Sequence, residues 1–357
     1  MTLLETPSVQ FAVRVYDGSN LSELAERAAA FVHRRGSVAP CRELTWLSVL
    51  ALGLKHEPYC LEAIEGATTV GLLSLAFVRR LRFGRYLVSL PYLNSGGVLA
   101  DDPAVARALI DRAVQLADEL AVRYLELRHE QGMAHPALGE TRTDKVHMRL
   151  GLPPRSEQLW DDLSPKVRNQ VRKGERCELT VAWGAMELLD DFYTVFSHNM
   201  RDLGTPVYGK RLFASILDQF SGRSELCVVR AGRLPVGGAL LVHGAGVTEV
   251  PSASSLRRYN HTSANMLMYW HLLKRAVERG QSVFDFGRST RDSSTYRFKK
   301  QWGAEPHPAE WQYYVRQGAP TELTTGNPRY QWRIRLWQRL PVALTRWLGP
   351  MIVRGIP

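Results

Sequence analysis

The chain has 357 residues, of which 45% are hydrophobic and 23% charged, and its formal net charge is +11. This length exceeds what one hydrophobic core usually fills, so we predict two domains. The composition excludes wholesale disorder, and no run approaches the ~20 apolar residues of a membrane-spanning helix. The positive charge favours acidic partners such as tRNA, nucleotide-linked substrates, acidic glycans or an anionic membrane leaflet.

Cysteine and histidine positions indicate neither a metal site nor disulfide bonds. The four cysteines are widely separated and form no CxxC pair, which favours reduced thiols in a cytoplasm. The histidines lack metal-ligand spacing, so we predict no metal. The first residues lack the features of a signal peptide, which also favours a cytoplasmic protein. No GxSxG motif occurs, so a Ser-His-Asp hydrolase is poorly supported.

Helices, strands and a long helix follow one another in the first part of the chain. Apolar spacing and turn residues predict strands at residues 11–16, 59–65, 69–78, 86–92 and 124–128, and helices at 21–34, 43–54 and 103–121. The consecutive β runs suggest an antiparallel sheet. Residues 151–163, with paired prolines and an acidic cluster, are the best linker candidate.

The second part repeats the order of the first. A basic helix begins at Ser164-Pro165, strands and helices follow, and a long helix at 263–279 leads into a strand at 283–286. Two copies of one α/β unit are therefore predicted. The expected divisions are residues 1–160, 161–320 and a basic amphipathic tail at 321–357.

Residues 283–305 carry the densest polar chemistry. An apolar strand is broken by Asp285, and Gly287 is predicted to end that strand. Asp292 or Ser293 can then cap a short helix that carries Arg297, Lys299 and Lys300. Such a corner can hold an anionic or carbonyl substrate.

Four motifs carry a resemblance to a known family. They read PYLNSGGVLADD (91–102), LSPKVRNQVRKGE (163–175), NMRDLGTPVYGK (199–210) and FDFGRSTRDSSTYRFKKQWGAEP (284–306). The chain resembles the FemAB-like branch of the GNAT acyltransferase superfamily, and more closely the FemAB-like proteins associated with exosortase/PEP-CTERM exopolysaccharide systems. The resemblance implies an α/β (α+β) fold of two tandem GNAT-like domains, each a mostly antiparallel mixed sheet flanked by helices, with a basic helical tail.

The same resemblance implies a reaction. An acyl or aminoacyl group would pass directly to an amine of a cell-envelope or exopolysaccharide precursor, a sugar or a peptide, without a covalent enzyme intermediate. The donor would be aminoacyl-tRNA or acyl-CoA, neither tightly bound. Phe298-Lys299 matches the aromatic-lysine pair of the family, in which the lysine offsets charge in the tetrahedral transition state.

One departure from the superfamily concerns the donor. Enzymes that use acyl-CoA carry a glycine loop before the long helix, where backbone N–H groups cradle pyrophosphate. Here residues 257–267 read RRYNHTSANML, without glycine. Side chains of Tyr259 and Asn260 would crowd a phosphate, although Arg257 and Arg258 could still hold one. The alternative is a non-catalytic GNAT-fold protein that binds glycan or nucleic acid.

Several residues have both a functional and a structural interpretation. Asp285 is either a general base or a strand residue paired with Arg288 or Arg297. Tyr296 either handles a proton or simply packs, and Lys299 is either a site cation or a solvated charge. The complete set of predicted substrate contacts is Asn94, Arg168, Asn169, Arg172, Arg257, Arg258, Tyr259, Asn260, Arg288, Ser289, Arg297, Phe298 and Lys300.

The tail is the most basic part of the chain. From residue 321 onward it has six arginines and one acid, Glu322, so it contributes +5 of the net charge. Tryptophans and leucines alternate with these arginines, a pattern typical of helices at a membrane surface. The tail is equally expected to pack across the two domains, with its arginines facing water. A peripheral position at the inner face of the membrane is therefore one expectation for residues 321–357.

Overall fold

The computed structural model describes residues 11–36, 39–80, 84–318 and 331–356. The first half contains β1 (Ala12–Asp17), α1 (Ala25–Arg34), α2 (Thr45–Leu54), β2 (Glu57–Glu65), β3 (Thr68–Arg80), β4 (Gly84–Val88), β5 (Leu99–Ala100), α3 (Pro103–Glu119), β6 (Tyr124–His129) and β7 (Glu140–Gly151). The second half contains α4 (Ser156–Asp162), α5 (Pro165–Arg176), β8 (Leu179–Gly184), α6 (Leu189–Leu203), α7 (Lys210–Gln219), β9 (Ser224–Ala231), β10 (Leu234–His243), β11 (Val247–Ser255), α8 (Ala264–Glu278), β12 (Val283–Thr290), α9 (Ser294–Lys300) and β13 (Glu305–Val315). The tail contains α10 (Gln331–Arg339) and α11 (Val342–Val353).

The described strands join one mixed sheet that runs through both halves. Its order is β1-β2-β3-β4-β6-β13-β7-β12-β11-β10-β9-β8, with β5 paired to β3. Two neighbouring pairs are parallel, β4 with β6 and β11 with β12, and the remaining pairs are antiparallel. A long helix precedes the second strand of each parallel pair, α3 before β6 and α8 before β12. This repetition confirms the predicted fold class.

The two halves exchange their final strands. β7, which ends the first half, pairs with β12 of the second half. β13, which ends the second half, pairs with β6 of the first, and β7 and β13 also pair with each other. The sheet is thereby continuous across the molecule. The predicted divisions at residues 160 and 320 remain predictions.

Helices from both halves also share a hydrophobic core. α2 and α7 approach so closely that a β-carbon on Gly53 would lie 2.8 Å from the Leu212 Cα. Trp46 and Phe220, both buried, have ring centroids 5.0 Å apart in the same core. Because these residues come from different halves, burial of apolar surface holds the halves together.

Three boundaries differ from the predictions. The proposed linker at 151–163 contains the end of β7 and helix α4, and Leu159 and Leu163 are buried in the core of the second half. The strand predicted to reach residue 92 ends at Val88, because Leu90 and Tyr92 adopt positive φ angles. Gly287 does not end β12, which continues to Thr290.

The tail helices pack against α6. The Arg346 guanidinium donates to Ser197 Oγ at 2.8 Å, and a β-carbon on Gly349 would lie 2.7 Å from the Val207 backbone nitrogen. On the opposite side, Trp332 is 61% and Trp347 is 67% exposed. The tail therefore packs on the protein and still presents large apolar side chains to solvent. Among the described helices, none is long and apolar enough to cross a membrane.

Candidate active site

The candidate site lies where β11 and β12 separate. These parallel strands pair only from Val247 to Glu249 and from Val283 to Asp285. Beyond those residues a narrow pocket of about 20 Å³ opens between the strands. Its lining comes from both strands, from β7 and from the first half, and comprises Cys41, Tyr92, Leu93, Asn94, Ser95, His147, Glu249, Val250, Pro251, Asp285 and Gly287. Only a small reacting group fits inside.

Glu249 is the ionisable side chain that sequence reasoning missed. Its carboxylate accepts a hydrogen bond from the Cys41 backbone N–H at 3.1 Å. Burial, followed by the nearby charge of Asp285, raises the pKa of Glu249 to about 8. A carboxyl group with such a pKa exchanges protons near physiological pH. The available signal was a single acid in the strand predicted at residues 247–251, next to Val250.

Asp285 lies directly beside Glu249 and is held by two donors. The Arg149 Nε donates to one carboxylate oxygen at 2.8 Å, and the Gly287 N–H donates to the other at 2.7 Å. Its ion-pair partner is Arg149 and not Arg288 or Arg297, the two partners considered from sequence. Both carboxylate oxygens of Asp285 accept hydrogen bonds, which fix the position of this side chain. Only one oxygen of Glu249 accepts a hydrogen bond from the described residues, so the other can take up a proton.

Arg149 joins Asp285 to a second acid at the border of the two halves. Its Nη1 and Nη2 atoms donate to Glu130 at 3.0 and 2.7 Å. Burial raises the pKa of Glu130, but the hydrogen bonds from Arg149 and the charges of Arg42 and Arg149 outweigh it and lower the pKa to about 2. Glu130 therefore remains ionised, and the bridge keeps Arg149 against the pocket.

Gly287 forms a bulge in β12. The pairing register shifts between Asp285 and Arg288, and Gly287 has a φ of 76°, which favours glycine. A β-carbon on Gly287 would also lie only 3.0 Å from Asn94 Nδ2. The bulge therefore brings the predicted substrate residue Asn94 against the backbone of β12, within the pocket lining.

Lys299 holds this bulge from α9. Its buried ammonium donates to the carbonyl oxygens of Gly287 and Arg288 at 3.0 and 3.1 Å. Burial lowers the pKa of Lys299 to about 8, against the opposing influence of Asp285. Two of its three N–H groups are engaged. Lys299 does not itself line the narrow pocket, and it contacts the pocket through the backbone of Gly287.

The other residues of α9 divide into buried and exposed groups. Ser293 caps the helix by accepting the Tyr296 N–H at 3.2 Å, as predicted. Tyr296 is buried in the core of the second half, and Phe298 packs edge-on against Tyr269. Arg297 and Lys300 are exposed. On β12, Ser289 is buried, and its hydroxyl has no hydrogen-bond partner within the described residues.

The predicted basic helix α5 lies apart from the pocket. Arg172 stacks over Trp160, and Arg168 donates to the Asp161 carbonyl, so both face α4. Asn169 is exposed. The neighbouring Gln170, which was not predicted, accepts a hydrogen bond from the Ser263 hydroxyl at 2.7 Å and joins α5 to the start of α8.

The region expected to hold the donor forms a 3₁₀ helix at Arg257–Thr262. The Tyr259 and Ser263 amides donate within this segment, to the carbonyl oxygens of Leu256 and Asn260. These amides cannot also cradle a pyrophosphate. The side chains of Arg257, Arg258 and Asn260 are exposed and can meet a phosphate instead.

A larger cavity of about 830 Å³ lies behind the Arg149–Glu130 pair. It is bordered by Arg35, Arg42, Leu99, Val247, Val283, Gly303, Glu305 and His307. The ion pair therefore separates this cavity from the narrow pocket. Across the part of the chain that the structure describes, no three histidine, cysteine or acidic side chains lie close enough to hold a metal ion.

Comparisons with known proteins define the class of this site. Residues 162–300 match the family described as acetyltransferase (GNAT) domain, so the second half contains a GNAT acetyltransferase domain. Such a domain implies an acyl donor and an amine acceptor. The match includes β11, β12, α8 and α9, and hence the pocket residues Glu249 and Asp285. No curated protein sequence matches the chain.

Solved structures extend the similarity to both halves. A crystal structure of FemX is 15% identical, with a TM-score of 0.62 over 82% of this chain and 96% of that one. L-PGS from Bacillus licheniformis is 12% identical, with a TM-score of 0.54 over 93% and 96%. A tandem GNAT protein from the clavulanic acid biosynthesis pathway is 12% identical, with a TM-score of 0.52 over 87% and 100%. At these identities the likeness shows a shared fold.

Proposed function

We propose that the protein transfers an acyl or aminoacyl group from a carrier to an amine, with Glu249 as the general base. The observation that carries this proposal is the position of Glu249 beside Asp285, at the separation of two parallel strands in the GNAT domain. The amine nitrogen forms a bond to the carbonyl carbon, and its proton passes to the Glu249 carboxylate. The bond to the carrier then breaks, Glu249 returns the proton to the leaving sulfur or oxygen, and the carrier departs as a thiol or a hydroxyl.

The donor is proposed to be acyl-CoA or aminoacyl-tRNA. Purified protein would be incubated with acetyl-CoA or with aminoacyl-tRNA and a set of amines, and the products would be analysed by mass spectrometry. Binding to tRNA should weaken steeply as salt rises, because phosphate contacts release counterions. Transfer of the acyl or aminoacyl group from either donor would support the proposal that the protein is a transferase. If neither donor supports transfer, the alternative is favoured, namely a non-catalytic protein that binds glycan or nucleic acid. The backbone amides of Tyr259 and Ser263, which are already hydrogen-bonded, are compatible with that alternative.

Lys299 is proposed to fix the bulge and to offset negative charge on the reacting carbonyl oxygen. Lys299→Met should lower the single-turnover rate roughly 10²-fold, the usual effect of removing one such donor. The methionine fills the same space, so the circular dichroism spectrum should stay unchanged. Lys55→Met, an exposed lysine after α2, is the matched control. Wild-type turnover in Lys299→Met would remove the proposed role.

The acceptor is proposed to be an amine on a sugar or peptide precursor of the cell envelope or of an exopolysaccharide, in a system of the exosortase/PEP-CTERM type. The support for this assignment is the sequence resemblance in the four motifs described above. We propose that the protein works in the cytoplasm, at the inner face of the membrane.

The tail is proposed to bind an anionic membrane surface through the exposed faces of α10 and α11. Residues 331–356 contain five arginines and no acid, beside the exposed Trp332 and Trp347. The double variant Trp332→Ser/Trp347→Ser should sediment several-fold less with vesicles of anionic lipid, because interfacial binding depends on buried apolar area. Leu234→Ser, which removes an exposed apolar side chain on the β9–β10 hairpin, is the control. Equal sedimentation by a chain ending at Gly318 would contradict the proposal.

A further inference from the structure

Two cations on the neighbouring strands β12 and β7 make no direct ion pair within the described residues. The half-buried Arg288 guanidinium lies 3.3 Å from the ring centroid of Trp311. Within the described residues, this guanidinium makes no hydrogen bond and no ion pair. Lys145 on β7 is also half-buried, and its ammonium likewise makes none with the residues that the structure describes. Fully buried cations almost always have such partners, so two neighbouring cations that are partly withdrawn from water without one are candidates for binding an anion.

Trp311 forms a fixed platform for Arg288. Its indole N–H donates to the Asn94 carbonyl oxygen at 3.2 Å, which joins it to the pocket lining. Arg128 also lies over this ring, at 4.0 Å from the centroid, but its charge is satisfied by Glu126 at 2.6 Å and by backbone carbonyls. The unsatisfied positive charge therefore belongs to Arg288 and Lys145.

Local electrostatics agree with an excess of positive charge. Burial, and then the neighbouring charge of Arg128, lowers the pKa of Arg288 to about 9. Burial and the charge of Arg288 lower the pKa of Lys145. Glu126 and Asp144 oppose these shifts without reversing them. An anion between the two cations would relieve this repulsion.

The cations lie close to the reaction pocket. Arg288 pairs with His147, and Thr290 pairs with Lys145, so Arg288, His147 and Lys145 share one face of the sheet. His147 lines the pocket, and its buried Nε2 has no partner among the described atoms. Opposite residues on paired strands lie about 5 Å apart and diagonal ones about 7–8 Å. Arg288 is therefore a direct neighbour, and Lys145 a near neighbour, of a residue that lines the pocket.

We propose that Arg288 and Lys145 bind an anionic group of the amine acceptor, either a phosphate or a carboxylate. The narrow pocket admits only the reacting amine, so the rest of the acceptor lies on the neighbouring surface, where these cations are. A phosphate of the donor carrier would meet the exposed Arg257 and Arg258, which follow β11 on the other side of the pocket. The assignment to the acceptor rests on the proposed transferase function, but the anion site itself does not.

Anion binding provides a direct test. Equilibrium dialysis at low ionic strength would measure binding of labelled inorganic phosphate and labelled acetate to the whole protein. Arg288→Gln and Lys145→Gln should each weaken binding about tenfold or more, because each removes a charge-assisted contact. Arg233→Gln, an exposed arginine in the β9–β10 turn, should bind as wild type does. Arg288→Gln keeps the carbonyl oxygen that Lys299 bonds, so the bulge is retained.

The outcomes separate the two ligand classes. Tighter binding of phosphate than of acetate assigns a phosphorylated acceptor, and the reverse assigns a carboxylate. The proposal is overturned if neither anion binds, or if both substitutions leave binding unchanged.

A kinetic measurement then tests the assignment to the acceptor. With glucosamine 6-phosphate and glucosamine as paired amines, and glutamate and its diamide as a carboxylate pair, Arg288→Gln should raise the KM of the anionic member about tenfold. It should leave the KM of the neutral member unchanged. If no amine is acylated while phosphate or acetate still binds, the transferase function fails and the anion site stands. An equal effect on both members would overturn the assignment to the acceptor.

Discussion

Glu249→Gln is expected to lower the rate of acyl transfer by about 10²- to 10⁴-fold, the usual contribution of a general base. The amide keeps the oxygen that accepts the Cys41 N–H but cannot take a proton. In the wild-type protein kcat/KM should rise towards pH 8 as Glu249 ionises, and should fall above it as Lys299, whose pKa is lowered to about 8, loses its charge. Glu249→Gln should lose that rise. Initial rates measured from pH 6 to 10 check both expectations.

A stability measurement separates this role from a loss of folding. The pKa of Glu249 is higher in the folded protein than its ordinary value near 4.5. The folded state therefore holds the proton more tightly, and its advantage is lost as pH rises through about 8. Glu249→Gln should consequently melt at a higher temperature than wild type at pH 9. Glu65→Gln, on an exposed residue of the β2–β3 hairpin, should match wild type in both assays. A pH profile retained in Glu249→Gln would contradict the assignment.

Arg149→Met is expected to lower the free energy of unfolding by about 3–5 kcal/mol, the usual cost of removing one partner from a buried ion pair. It leaves Asp285 buried with only the Gly287 N–H as donor, and it leaves Glu130 without its main partner. Urea denaturation followed by tryptophan fluorescence measures the change. The double variant Arg149→Met/Asp285→Asn should recover part of the loss, because the uncompensated charge is gone.

A surface pair supplies the comparison. Arg112 and Glu119 form an ion pair on α3, where Glu119 is more than half exposed. Arg112→Met should cost at most about 1 kcal/mol, since water already screens both charges. If Arg149→Met cost no more than Arg112→Met, the bridge between the halves would contribute nothing beyond an ordinary surface contact.

The repeated α/β order could be read from sequence because it depends on local patterns. Helical spacing before residue 279 and the apolar run after it place α8 and the start of β12 correctly. Asp285 within this strand, and Ser293 and Lys299 shortly after it, were also identified from sequence, because they lie close together in the chain. Such features follow from periodicity and capping, which act over a few residues.

The rest of the site depends on pairings that no local pattern specifies. Arg149 and Asp285 are 136 residues apart and meet only because β7 pairs with β12. No strand was predicted at 140–151. Polar and apolar residues alternate at 145–150, but such alternation does not specify a partner strand. Gly287 was interpreted as a strand end because glycine signals a turn, whereas Asp285 and Lys299 bond its backbone and keep it within β12. Glu249 was missed because its neighbour is supplied by another strand.

The exchange of β7 and β13 has a consequence for how the chain is made. The strand that covers the open edge of β6 lies at Glu305–Val315, nearly two hundred residues downstream. During synthesis the amino-terminal half emerges from the ribosome with this edge of β6 unpaired. β7 likewise cannot pair with β12 until β12 has been synthesised. The edges of β6 and β7 that flank β13 stay unpaired until Glu305–Val315 has been translated. Completion of the sheet is therefore a late step in the synthesis of each chain, and a ribosome that stalls before residue 305 leaves these two edges exposed.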